Sequence, residues 1–118
     1  MKKVTLIIRQ AEISKLFPNG LQLLLDDSAS APDAIRAVDE EIRRKCGKCP
    51  VKGFESLFQM VYHPHEGRFY KQVAIQAHVK SKPFLNLREN PKMPLPSHTI
   101  IILIPQGGCQ TDWEEPVR

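Results

Sequence analysis

No stretch of the sequence approaches the ~20 consecutive apolar residues that a membrane-spanning helix needs, so a bilayer is not an expected partner. Met1-Lys2-Lys3 and the short apolar run Val4 to Ile8 lack the longer apolar core and small-residue cleavage site of a secretory signal. Cysteine is sparse and odd in number, three in 118 residues. That count excludes a fully paired disulfide framework and fits a reducing compartment. A cytoplasmic location is therefore expected. The sequence also lacks internal repeats and low-complexity blocks. Nor is its positive charge gathered anywhere: 17 Lys and Arg are scattered among 13 Asp and Glu, for a net charge of +4. A nucleic-acid-binding chain clusters that charge on one element beside aromatics, so nucleic acid is not an expected partner. The mild basicity serves solubility, or a basic face for an acidic partner.

What is present fits one small domain. Hydrophobic residues make up 42% of the chain, enough for a modest core, and charged residues 25%. Val4–Arg9 is rich in Val, Thr and Ile and reads as a strand. Leu16-Phe17-Pro18-Asn19-Gly20 has turn chemistry, and Leu21–Leu25 resumes an apolar strand, so a hairpin is expected. The period then changes. Ser30-Ala31-Pro32-Asp33 starts a helix, with Pro in its first turn. Ile35, Val38 and Ile42 line one face of it from about Pro32 to Lys45. Asp39 with Arg43, Glu40 with Arg44 and Glu41 with Lys45 are expected to pair on the other face, and Gly47 ends the helix.

Ser56–Tyr62 and Phe69–Val79 read as further strands, with a turn at His63–Gly67 between them. From Lys80 to Pro96 the chain is rich in Pro, Lys and Asn. Irregular backbone is expected there, with a short edge strand at Phe84–Leu87. Thr99–Ile104 is the most apolar run and reads as a strand buried on both faces. It is expected to lie beside the first strand, parallel to it, in the centre of the sheet. The expected fold class is α+β, with a mixed sheet and one main helix on one face. Residues 1–106 form the domain, and 107–118 carry Gly-Gly and an exposed tail.

The order ββαββ with a central last strand is the ubiquitin-like β-grasp arrangement. The segment Leu95-Pro96-Ser97-His98-Thr99-Ile100-Ile101-Ile102-Leu103-Ile104-Pro105-Gln106-Gly107-Gly108 adds a closer likeness. It resembles the closing motif of the sulfur-carrier family, of the molybdopterin synthase small subunit and thiamine sulfur carrier type. There, a leucine and a turn lead into an apolar strand, a proline-containing stretch and Gly-Gly. The resemblance covers about 14 residues closely and the rest loosely, and residues 46–92 are longer than the family's usual middle. It implies a carrier that is a substrate of enzymes rather than an enzyme, holding no cofactor of its own. An activating enzyme adenylates the glycine carboxylate with ATP, sulfur is added to give a thiocarboxylate, and a sulfur-accepting enzyme takes it. The implied carrier residues are Gly107 and Gly108.

One departure bears on that reading. In typical members the second glycine ends the chain, whereas here ten residues follow and the Gly108 carboxylate is locked in the amide to Cys109. Some members carry such an extension, which a zinc peptidase removes. The resemblance thus implies a precursor with its processing site at Gly108 and Cys109, and a processing metallopeptidase as partner. Glycines suit the chemistry because a narrow active site can close around a backbone without Cβ. Losing residues 109–118, whose net charge is −2, leaves a domain of +6. Without processing, the alternatives are a β-grasp interaction module or a ubiquitin-like modifier with no sulfur chemistry. On spacing alone, Gly-Gly is also an ordinary turn after a strand.

Other constellations are weaker. Cys46-Gly47-Lys48-Cys49 is a C-x-x-C at a helix C-terminus, the end that disfavours a thiolate. With His63 and His65 it is a candidate zinc half-site, although His-x-His is too short for a standard finger. A plain turn is the other reading. Cys109 could attack the Gly108 carbonyl, but no activating base or oxyanion stabiliser is in view. His78 and His98 belong to no Ser/His/Asp or Cys/His order. Phe58, Phe69 and Phe84 are candidates for a docking face or for the core. Trp113 is a candidate anchor in the tail.

Overall fold

A computed structural model describes residues 1–82, 84–107 and 113–117. Nine elements follow one another: β1 (Lys2–Ile8), α1 (Ala11–Leu16), β2 (Leu21–Leu25), α2 (Ala31–Cys46), α3 (Leu57–Val61), β3 (Tyr62–His63), β4 (Arg68–Phe69), β5 (Ala74–His78) and β6 (Thr99–Ile104). The main sheet is mixed, with strand order β2-β1-β6-β5. β1 and β6 are central and parallel, with Val4 opposite Thr99 and Ile8 opposite Leu103. β2 and β5 flank them antiparallel. The two longest apolar strand runs take the two central places, where both edges are paired and burial is deepest.

β6 departs from its expected burial on both faces. Thr99, Ile101 and Leu103 are buried, while Ile100, Ile102 and Ile104 are half-buried. Helices cover one face of the sheet only, so the alternate side chains remain at the surface. The register places Thr5, Ile7, Gln22, Leu24, Gln76 and His78 on that same outer face.

α2 forms for local reasons. The Asp33 carboxylate accepts from the Ser30 backbone N–H at 2.9 Å and from its hydroxyl at 3.0 Å, tying down the first turn. Pro32 sits where a missing N–H costs nothing. Ala31, Ala34, Ile35, Val38 and Ile42 are buried in the common core. Each large apolar side chain so buried contributes about 1.5–3 kcal/mol. Gly47 ends the helix at φ +77°, and its N–H donates to the Arg43 carbonyl at 2.8 Å. The charge pairs on the exposed face are one residue closer than expected. Arg43 meets Glu40 at 3.1 Å and Arg44 meets Glu41 at 2.5 Å, both at i,i+3. Lys45 instead donates to the Leu16 carbonyl at 2.9 Å.

Four further expectations are corrected. The β1–β2 connection holds a short helix, α1, whose first turn is capped by the Gln10 side chain accepting from the Ile13 N–H at 2.9 Å. Ser56–Tyr62, expected as a strand, is mostly helix α3. Ser56 caps it by accepting from the Gln59 N–H at 3.0 Å, and the buried residues Leu57, Met60 and Val61 fall at i, i+3 and i+4. The long strand Phe69–Val79 is divided. Phe69 pairs with Tyr62 in a separate two-stranded ribbon, and only Ala74–His78 joins the main sheet. The turn at His63–Gly67 forms as expected, with the Gly67 N–H donating to the His63 carbonyl at 2.9 Å. Phe84–Leu87 is not assigned as a strand. Among the described residues, it is held beside β5 by the Leu85 N–H, which donates to the Ala77 carbonyl at 2.9 Å. Among the described residues, no helix is long and apolar enough to cross a membrane.

Candidate functional site

The segment leaving β6 carries the motif of interest. The Gly107 N–H closes a turn onto the Ile104 carbonyl at 3.3 Å. A Cβ on Gly107 would lie 2.7 Å from Ile104 Cγ2 and 3.0 Å from Ala74 Cβ, so only glycine fits against the ends of β5 and β6. This gives Gly107 a packing role beside any chemical one. An open cleft of about 290 Å³ lies alongside, lined by Arg9, Gln10, Ala11, Ile104, Pro105 and Gln106. The carrier residue Gly108 and the processing partner Cys109 lie outside the described residues.

Of the cysteine–histidine candidates, Cys46 and His63 are engaged in local bonding. Among the described residues, no three His, Cys, Asp or Glu side chains come together as a metal-binding group, so Cys46, Cys49, His63 and His65 form no ligand set. Cys46 is exposed, and its thiol donates to the Ile42 and Lys48 carbonyls at 3.3 and 3.0 Å. Burial pushes the Cys49 thiol above its ordinary pKa, with Asp39 adding to the shift, which is the wrong direction for a reactive thiolate. His63 uses both ring nitrogens. Nδ1 accepts from the Glu66 N–H at 3.2 Å, and Nε2 faces the Glu66 carboxylate at 3.1 Å. Both ring nitrogens thus lie against Glu66 within the turn.

The three phenylalanines do not share a face. Phe69 is in the core, Phe58 is half-buried with the Arg36 guanidinium 4.4 Å above its ring, and Phe84 is 68% exposed.

The most developed polar site was missed by sequence reading, and it involves the tail. Trp113 and Glu115 are exposed as expected, but Glu114, Pro116 and Val117 are half-buried. The Glu114 carboxylate receives two parallel bonds from Arg68, at 2.8 and 2.7 Å, and a third from the Lys71 backbone N–H at 2.8 Å. The Gln72 side-chain amide bonds the Glu114 backbone twice, donating to its carbonyl at 2.9 Å and accepting from its N–H at 3.0 Å. The Val117 N–H donates to the Tyr70 hydroxyl at 2.8 Å. Arg68 also meets Glu66 at 3.2 Å, which links His63, Glu66, Arg68 and Glu114 in one polar chain.

The Arg68 fork holds the Glu114 carboxyl down at about 2, against the opposing effect of burial and with help from the Lys71 N–H. A carboxyl whose pKa falls on docking stabilises the docked form above its ordinary pKa of 4.5, and that contribution is lost as pH falls through about 2. The backbone N–H groups of Glu114 and Val117, held by Gln72 and Tyr70, are therefore expected to keep their NMR shifts from pH 7 to about 4.5 and to move to free-chain values between there and about 2. An NMR titration, with circular dichroism alongside to locate global unfolding, checks this. A shift completed above pH 5 would show that the ion pair does not hold the tail in solution.

Comparisons with protein families, with curated proteins and with solved structures find no match to this chain.

Proposed function

We propose that the chain is the precursor of a ubiquitin-like β-grasp sulfur-carrier protein, activated at Gly108 once the tail has been removed. The supporting observation is the pairing of β6 with β1. A central parallel strand leads directly into Pro105-Gln106-Gly107, as the closing motif requires. Its anchorage is strong, because both edges of β6 are paired. The acyl arm therefore starts from a fixed point, and a group tethered there meets a docked enzyme at high effective concentration. The chain acts as a substrate. An adenylating enzyme spends ATP on the Gly108 carboxylate, a sulfur donor gives the thiocarboxylate, and a metallopeptidase that cuts Gly108–Cys109 comes first.

The test is intact-mass measurement after incubation with a sulfur-carrier-activating enzyme, ATP, a sulfur donor and the peptidase. Truncation after Gly108 together with exchange of one oxygen for sulfur is the expected result. A full-length chain that persists under conditions that process a known extended carrier overturns the proposal.

A second reading, an interaction module without sulfur chemistry, is favoured by the outer face of the sheet. Ile7, Ile100 and Ile102 are neighbours there and half-buried, an apolar patch on an uncovered sheet face.

A further inference from the structure

We propose that the face formed by Gln59, Arg68, Tyr70 and Gln72 is a binding site for an extended acidic peptide segment of another protein, and that residues 113–117 occupy it in cis. This holds whether or not the chain carries sulfur. The argument starts from how the tail is held. Its contacts are those of a ligand on a receptor and not those of a core segment. Gln72 bonds both the N–H and the C=O of Glu114, as a neighbouring strand would, and so reads backbone without regard to side chain. Arg68 and the Lys71 N–H together present three donors to one carboxylate, which reads glutamate. Three residues on, Tyr70 takes the Val117 N–H, and Gln59 donates to the Val117 carbonyl at 3.4 Å. The spacing of these contacts selects an extended peptide with a glutamate at one position.

The site is supplied entirely by parts of the domain other than the tail. Tyr70 is in the core, and Gln72 is only 2% exposed. The Gln72 amide lies under the tail and is almost inaccessible to water. Withdrawing the tail uncovers the Gln72 amide and takes the Glu114 carboxylate from Arg68, which keeps only Glu66 and the Phe69 carbonyl among the described residues. The vacated face therefore favours a replacement of the same chemistry. Charge supports a peptide of this kind: the occupying segment 113–117 carries two glutamates and no base, whereas the chain as a whole is at +4. The tail is tethered, so it competes at an effective concentration on the order of millimolar. A partner peptide must outcompete it or arrive after its release.

The experiment uses the full-length chain and two peptides carrying fluorescein on the N-terminal nitrogen in place of an acetyl group, Trp-Glu-Glu-Pro-Val-amide and Ala-Glu-Ala-Pro-Ala-amide, read by anisotropy. Glu114→Gln removes the carboxylate from the cis occupant and leaves the receptor residues intact. We expect Glu114→Gln to bind both peptides at least tenfold more tightly than the wild-type chain. A further Arg68→Ala change, at a partly exposed position, is expected to lose that gain with the circular dichroism of the fold retained, as is replacing the first glutamate of either peptide by glutamine. Amide hydrogen exchange at Glu114 and Val117, whose N–H groups Gln72 and Tyr70 hold in the docked tail, checks that the tail has left in Glu114→Gln. No binding to Glu114→Gln despite a released tail, a tail that stays docked in this variant, or binding that survives Arg68→Ala each overturns the proposal. So does concentration-dependent dimerisation of the wild-type chain by exchange of tails, which would make a second copy the occupant.

Discussion

Replacing Lys2 by methionine is expected to lower the stability of the domain by about 2–4 kcal/mol, although a surface lysine is usually replaceable within about 0.5 kcal/mol. Lys2 is the first residue of β1 and is only 5% exposed. Its ammonium donates to three backbone carbonyls, those of Asp27 at 2.8 Å, Ala29 at 2.8 Å and Leu95 at 2.6 Å. These belong to the turn before α2 and to the loop before β6, so one side chain ties together three stretches remote in sequence. Hydrogen bonds from a charged donor are each worth about 1.5–3 kcal/mol. Burying the ammonium takes part of that back: desolvation lowers its pKa below the ordinary lysine value, and Asp27, Asp33 and Asp26 oppose the shift. Methionine keeps the stem's volume and removes the donors. The loss then measures carbonyls left without their partner. Urea unfolding of the two forms gives the difference. A change under 0.5 kcal/mol would show that water or a backbone adjustment replaces all three bonds.

The second large effect is expected at Asp39, where alanine should cost about 2–4 kcal/mol. Asp39 lies on α2, is 5% exposed, and caps α3 from outside. Its two carboxylate oxygens accept from the Leu57 N–H at 2.8 Å and the Phe58 N–H at 3.0 Å. Those are first-turn donors of a helix too short to stand alone. Desolvation raises the Asp39 pKa, and the two N–H bonds, with Arg43, hold it down in part. Asn retains an oxygen acceptor, so Asp39→Asn is expected to lose roughly half as much as Asp39→Ala. Amide hydrogen exchange localises the effect: Leu57 and Phe58 should lose protection before the central strands do. Equal losses for Asn and Ala would assign the effect to charge and not to the cap.

These two residues also mark where sequence and structure part. The central strands were legible because Val4–Ile8 and Thr99–Ile104 are apolar runs bounded by polar residues or proline, and α2 because Ile35, Val38 and Ile42 keep helical spacing up to Gly47. Asp39 was misread as one of a row of surface ion pairs. It stands four residues after Ile35 and three before Ile42, on the buried stripe, and that spacing was the available signal. α3 was misread because Phe58, Val61 and Tyr62 favour strands as single residues, whereas Leu57, Met60 and Val61 together have helical spacing. Lys2 looked like the flank of a strand, since the carbonyls it serves are brought to it only by the finished fold. Glu114 gave no local signal at all, because Arg68 lies 46 residues before it. Of the proposed carrier motif, the strand and Gly107 fall within the described residues, and the reacting carbon of Gly108 does not.

The parallel pairing of β1 with β6 has a consequence for how the chain is made. Val4 must wait for Thr99 before the middle of the sheet can form. At about 5–20 residues per second, a ribosome needs on the order of 5–20 s to lay down the intervening chain. Through that interval β1 and β2 have each other and, once it emerges, α2, and a two-stranded hairpin is marginal in water. The buried faces of Leu6, Ile8 and Leu23 are then open to whatever is nearby. Nascent chains that stop before β6 should be the form of this protein most prone to aggregate and most dependent on chaperones.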